Sequence, residues 1–363
     1  MEKIEVLIVD DSALMRKMVS EILSKHPLIL PKDTAINGKA ALNKVKKNTF
    51  DVILLDIEMP EMDGIQFLEE YSKLNLNIPI ILLSSFARRG AEITMKALSL
   101  GAKDFITKPS GPISIDIEKV GNEIIEKVLI WGLKRENSSN KVEVSQTLGI
   151  KEAEKVKFEN PPITEVISKK PINPKLIGIG VSTGGPSAIR KLISDIDKDF
   201  PGIIVVQHMP ELFTAEFAKS LANSFPEFNI VEAKDYDLVL PGKIIIAKGG
   251  KHLEVHQKEN KIFVRIVEND NFSFKPSADL LFSSIAKNIG KDAIGIIMTG
   301  MGSDGAEGLK ELYDKGAITI AQGEKSCVIF GMPKSAILKK AVDFVWEIEE
   351  MGPNLKTLIT LLK

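Results

Sequence analysis

A chain of 363 residues with 44% hydrophobic content exceeds what one hydrophobic core ordinarily supports, so two domains are expected. Its 48 basic and 49 acidic residues leave a formal net charge of −1, which excludes the basic footprint of a nucleic-acid binder. The single cysteine, Cys327, excludes an internal disulfide framework and suits a reducing compartment, while a start without a basic n-region and the lack of any apolar run near the ~20 residues of a spanning helix point to a cytoplasmic protein.

From Glu5 onward, short apolar runs alternate with segments of helical period: VLIVD then SALMRKMVSEIL, DVILLD then GIQFLEEYSKL, PIILLSS then GAEITMKALSL, and finally AKDFITKP. Strands that are apolar throughout need helices on both faces, so this alternation predicts βαβ units around a parallel sheet. In such a sheet ligands gather outside the carboxyl ends of the strands. Asp10 and Asp11 close the first run, Asp56 another, Ser84 a third and Lys108 the last. A lone aspartate at a strand–helix junction is usually an N-cap. Three carboxylates that repel one another, with a hydroxyl and an ammonium on successive strand ends, point instead to a site for a hard cation such as Mg²⁺.

These residues resemble the receiver domain of two-component response regulators, which implies a flavodoxin-like, five-stranded parallel sheet. The resemblance implies that Asp56 accepts a phosphoryl group and that Asp10, Asp11 and Asp56 hold Mg²⁺. It also implies that Ser84 and Lys108 contact the phosphoryl oxygens. Phe105 matches the family's aromatic switch position, and a core aromatic would account for it equally well.

After this half comes KRENSSNKVEVSQTLGIKEAEKVKFENPPITEVISKKPINPK, rich in Lys, Glu, Asn and Pro. It offers too little apolar surface to offset the entropy of ordering it. The expected division is therefore a receiver over residues 1–127, a charged linker over 128–172 and a second domain over 173–363.

Strand-like runs return as LIGIGVS, GIIVVQH, GKIIIAK and AIGIIMTG, with helical segments such as AEFAKSLANSF and SADLLFSSIAKNI between them. A doubly wound α/β domain follows. Gly180-x-Ser182-x-Gly184 fits either a strained elbow that presents a nucleophilic serine or a glycine turn that cradles phosphate. A nucleophile needs a base. Of the four histidines, His26 lies in the receiver half, and His252 and His256 sit in a hairpin-like charged stretch expected to be solvated. His208 instead ends the next apolar run after the serine. Asp304 follows a further run, in a glycine loop, and would orient the histidine. The competing reading takes Gly300-x-Gly302-x-x-Gly305 as a dinucleotide fingerprint, which would make the chain a receiver-linked nucleotide-binding regulatory protein without hydrolase activity.

The segments GVSTGGPSAI, VVQHMP, LPGKIIIAKGGKHLEV, PSADLLF, GIIMTGMGSDGAEGL and GEKSCVIFGMP, behind a receiver, resemble the chemotaxis response-regulator protein-glutamate methylesterases, the CheB family. The resemblance implies a Ser182–His208–Asp304 triad, with Thr183 and Met301 at the oxyanion or substrate. It implies demethylation of chemoreceptor glutamyl methyl esters and deamidation of glutamines, activated by phosphorylation from a chemotaxis sensor histidine kinase. It implies Mg²⁺ for the receiver, no cofactor for the ester chemistry, and contact with a membrane only through the receptors. One stretch departs from the pattern: NFSFK precedes PSADLLF where many relatives carry a more basic His/Arg-containing stretch, so no substrate contact is carried over to Phe274 or Lys275.

Overall fold

The computed structural model describes residues 3–85, 87–108, 116–136, 158–269, 271–272 and 274–362. The chain forms two compact units, Met1–Glu154 and Lys155–Lys363.

In the first unit, β1 (Ile4–Val9), β2 (Ile29–Ala35), β3 (Val52–Asp56), β4 (Ile80–Ser84) and β5 (Asp104–Thr107) form one parallel sheet in the order β2-β1-β3-β4-β5. Every residue of β3 and β4 is buried, which is why both read as unbroken apolar runs. The helices are α1 (Ala13–Ser24), α2 (Gly38–Val45), α3 (Gly64–Ser72), α4 (Arg88–Ser99) and α5 (Asp116–Glu136). The N-cap of α1 is Ser12, whose hydroxyl accepts from Met15 N, so Asp10 and Asp11 are free of the capping role that a lone aspartate there would take.

The expected linker differs from what folds. Helix α5 runs on to Glu136, past residue 127. At the other end, α6 (Ile163–Lys169) packs on the second unit. Val166 and Ile172 are buried there, Asn160 Nδ2 donates to Val345 O at 2.6 Å, and Lys170 Nζ pairs with Asp343 at 2.8 Å. A few apolar residues and one buried ion pair suffice to order a segment whose composition is otherwise polar. Residues 137–157 lie outside the described residues.

The second unit is built on seven parallel strands: β6 (Leu176–Val181), β7 (Gly202–Gln207), β8 (Asn229–Glu232), β9 (Lys243–Ile246), β12 (Ala293–Ile297), β13 (Ile318–Gln322) and β14 (Phe344–Trp346). Their order is β14-β13-β12-β6-β7-β9-β8, with all pairs parallel. Six helices follow α6: α7 (Gly185–Asp195), α8 (Phe213–Ser224), α9 (Ala278–Asn288), α10 (Ala306–Asp314), α11 (Met332–Leu338) and α12 (Ile348–Leu362). An antiparallel hairpin of β10 (His252–Lys258) and β11 (Lys261–Val267) lies on α9, where Val255 N donates to Ser284 Oγ at 2.9 Å. The first strand in sequence, β6, has β12 on one side and β7 on the other. That is the switch point of the sheet, where a crevice opens at the carboxyl edge.

Candidate active site

Ser182, His208 and Asp304 follow β6, β7 and β12, the three central strands, so all three fall at the switch-point crevice. The β6–β7 ladder runs one rung beyond the strands: His208 N donates to Val181 O at 3.0 Å. This sets His208 beside Ser182. On the other side Ser182 N donates to Thr299 O at 2.9 Å.

The turn after β6 differs from the strained elbow expected of the motif. Gly184, not Ser182, carries the left-handed backbone, with φ of 80°. A Cβ at Gly184 would also stand 2.3 Å from Val328 Cγ2, so both backbone conformation and space demand glycine there. Ser182 is half-buried and unstrained.

His208 and Asp304 are directly paired, with Nε2 and Oδ2 2.7 Å apart. Asp304 is held from several directions. Its carboxylate accepts from Ser277 Oγ at 2.7 Å, Ala278 N at 2.7 Å and Asp279 N at 3.2 Å, the cap hydroxyl of α9 and the first N–H groups of that helix, which have no partner within it. Burial pushes the Asp304 carboxyl up, but the bond and charge of His208 and the donors from Ala278 and Ser277 outweigh it, leaving it below the usual carboxylate range. Asp279 answers in kind, accepting from Gly308 N at 2.8 Å. Each aspartate thus sits on the other's helix start, Asp304 on α9 and Asp279 on α10. Burial raises Asp279 to about 6, against the Gly308 donor and with the Asp304 charge adding to the rise.

With Nε2 engaged, the other imidazole nitrogen is left over. His208 Nδ1 is buried and has no hydrogen-bond partner. An imidazole fixed by an acid through one nitrogen, with the other unengaged and its backbone beside that of Ser182, can serve as a general base once the serine hydroxyl turns to it. The dinucleotide reading meets a conflict at the same place: its fingerprint glycines lead into α10, where Gly308 N already donates to Asp279.

Gln207 and Thr299 carried no usable signal in the sequence. Gln207 is 2% exposed, and its Nε2 donates to Ser182 O at 3.0 Å and His208 O at 3.1 Å, tying the two loops together. Thr299 Oγ1 donates to Thr183 O at 2.9 Å and accepts from Val328 N and Ile329 N. Thr183 and Met301 are both half-buried, on the loops that Thr299 joins. Phe274 lies flat on His208, with ring centroids 4.5 Å apart and planes 4° from parallel. His252 contradicts the expectation of a solvated hairpin: it is 1% exposed, with Nε2 2.8 Å from Asn269 O. His256 is on the surface, paired with Glu254, and His26 Nδ1 accepts from Leu28 N.

In the first unit the acids converge as expected. One carboxylate oxygen from each of Asp10, Asp11 and Asp56 falls within 4.8 Å of the others, an all-oxygen set suited to a hard divalent cation. Lys108 Nζ reaches Asp10 and Asp56, each at 2.8 Å. Burial pushes the Asp56 carboxyl up, a rise that Lys108 only partly offsets. Ser84 closes β4 in the register next to Asp56, yet its hydroxyl is engaged with α4, accepting from Thr94 Oγ1 at 2.7 Å. Phe105 is buried beneath Lys127, whose Nζ stands 5.4 Å from the ring centroid.

Comparison with known proteins gives the following. Residues 177–355 match the CheB methylesterase family and residues 6–117 the response regulator receiver domain. The chain is 45% identical over 346 residues to the protein-glutamate methylesterase/protein-glutamine glutaminase of Treponema denticola, covering 93% of each chain. It is 39% identical over 365 residues to the protein of the same name from Bacillus subtilis, covering 98% of each. The crystal structure of the Thermotoga maritima CheB methylesterase catalytic domain is 35% identical, with a TM-score of 0.49 over 52% of this chain and all of that one.

Proposed function

This chain belongs to the CheB methylesterase family, with a receiver domain attached, and we propose that Ser182, His208 and Asp304 demethylate glutamyl methyl esters of chemoreceptors. The observation that carries the reading is the buried, unpartnered Nδ1 of His208, beside Ser182, on an imidazole whose Nε2 is held by Asp304 at 2.7 Å. The Ser182 hydroxyl gives its proton to Nδ1 and its oxygen bonds to the γ-carbonyl carbon. As the tetrahedral intermediate collapses, the bond from carbon to methoxy oxygen breaks, and His208 returns the proton so that methanol leaves. Water then repeats the sequence against the acyl-enzyme and frees glutamate. Asp304 stays ionised throughout and steadies the imidazolium. Thr183 and Met301, on the loops flanking Ser182, are assigned to the developing oxyanion, where loss of one donor costs about 3–4 kcal/mol in other hydrolases. A receptor glutamine follows the same path with ammonia as leaving group.

The receiver is the proposed control element, with a chemotaxis sensor histidine kinase as phosphodonor. Asp56 is the acceptor and, with Asp10 and Asp11, would hold Mg²⁺, which supplies charge neutralisation for phosphoryl transfer. Lys108, already on Asp56, is placed to meet the incoming phosphoryl oxygens. Ser84 would have to turn from Thr94 to join it, and Phe105 would respond as the switch. Among the described residues no helix is long and apolar enough to cross a membrane, and the proposed place of action is the cytoplasm, with membranes met through the receptors. The test is methanol release from methylated receptor membranes. Wild type should release it and Ser182→Ala should not; release by the variant at the wild-type rate would overturn the reading.

A further inference from the structure

We propose that Phe274 is a specificity-determining residue that favours the methyl ester over the primary amide by contacting the methyl group of the leaving methoxide. This inference rests on the triad reading above and adds a discrimination that the triad alone does not provide.

The leaving atom must take its proton from the imidazole nitrogen that received the serine proton. It therefore lies within hydrogen-bond reach of the edge of His208, and whatever it carries extends about one bond further out. The face of that imidazole is covered by the Phe274 ring at 4.5 Å and 4° from parallel. The His208 side chain is 9% exposed beneath this cover. Phe274 itself is 45% exposed, so it has apolar surface left for a substrate to bury. The methyl carbon of an ester leaving along that edge would meet the rim of this ring. The amide has only hydrogens there, which gain nothing from an apolar wall.

The ring's position is fixed by its neighbours in the chain. Lys275 O accepts from Gly250 N at 3.2 Å, and Ser277 Oγ donates to Asp304. On the other side Phe272 packs against His252, which is itself bonded to Asn269 O. The wall is thereby held in a defined place relative to the base, as discrimination by contact requires.

One methyl group in a hydrophobic site is worth about tenfold or more in kcat/KM when fully enclosed, and about fivefold is expected at this partly open position. The experiment uses the phosphorylated full-length enzyme, with methylated receptor and glutamine-bearing receptor as substrates, and reads methanol and ammonia release in parallel. Phe274→Ala should lower kcat/KM for the ester about fivefold more than for the amide. Phe274→Tyr keeps the ring face and should restore the wild-type ratio. An equal fall for both substrates would make Phe274 merely a support for His208 and overturn the proposal, as would an unchanged ratio. Ser182→Ala is the separate control. If that variant still released ammonia, the triad reading itself would fail, whatever the substitutions at 274 had shown.

Discussion

The two carboxyl edges of this protein solve opposite electrostatic problems. At the receiver edge, three carboxylates crowd within 4.8 Å, and one lysine bridges two of them. The set is not neutralised from within and suits an external cation. At the esterase edge, Asp304 meets its histidine and three donors at the start of α9, so this acid is satisfied from within. The first set therefore keeps an excess of negative charge, whereas the second is built around one satisfied acid.

That contrast is broken most severely by Ser182→Ala. We expect esterase activity to fall by about 10⁴-fold or more, with His208→Gln close behind and Asp304→Ala the mildest of the three, since an orienting acid contributes less than nucleophile or base. Phosphorylation should be unaffected in all three. Methanol release and acyl-phosphate labelling, measured on the same preparations, check both halves of the statement.

The converse experiment removes the cation. EDTA or Asp56→Asn should abolish labelling by a small-molecule phosphodonor, while basal esterase activity should persist, because the proposed triad chemistry uses no metal. Asp56→Asn should then hold the enzyme at that basal rate when the kinase is added. Label that survives in Asp56→Asn and maps to a serine or histidine would remove Asp56 from its role.

How much of this was legible depends on whether a residue's task is local. Ser182 and His208 each close an apolar run and Asp304 lies in the glycine loop that follows another, and strand ends in a parallel sheet are readable from such runs. Ser277 and Asp279 look like an ordinary cap and first-turn acid, which in part they are. Nothing nearby in the chain says that the carboxylate of Asp279 serves α10 while α9 receives that of Asp304. His252 departs from the solvated hairpin that its charged surroundings suggest because the segment after β11 folds back and covers its end of the hairpin. Phe274 carries no spacing signal at all, since its partner is 66 positions away in sequence. The polar stretch before β6 shows the reverse failure, where composition alone hid an ordered segment.

That segment sharpens the comparison at a smaller scale. A fragment starting at residue 173 keeps the whole triad but loses α6 and the Lys170–Asp343 pair, whose side chains are 16% and 8% exposed. Breaking a buried pair by removing one partner costs about 3–5 kcal/mol. Asp343 retains bonds from Thr319 N and Oγ1, so the lower end applies, and a melting point roughly 5–10 °C below that of a fragment starting at residue 158 is expected. Equal melting points would show that residues 158–172 add nothing to the fold of the second unit.

The smallest effect concerns the acid beside the triad. Asp279 is raised to about 6 by burial, with Asp304 adding to the rise, whereas unfolding returns it to the ordinary carboxylate range near 3.8. Between those values the folded state holds the proton more tightly, so the contribution of Asp279 to stability is greatest in acid and declines as pH rises from about 4 through about 6. Asp304 slopes the other way, because its folded value is depressed and its contribution is lost as pH falls. Asp279→Asn keeps an oxygen for Gly308 N but cannot ionise. The melting temperature of wild type relative to this variant should therefore fall as pH rises across that window. A pH-independent difference would mean that Asp279 titrates normally, and that the two helix starts are held by hydrogen bonds without a charge conflict between their aspartates.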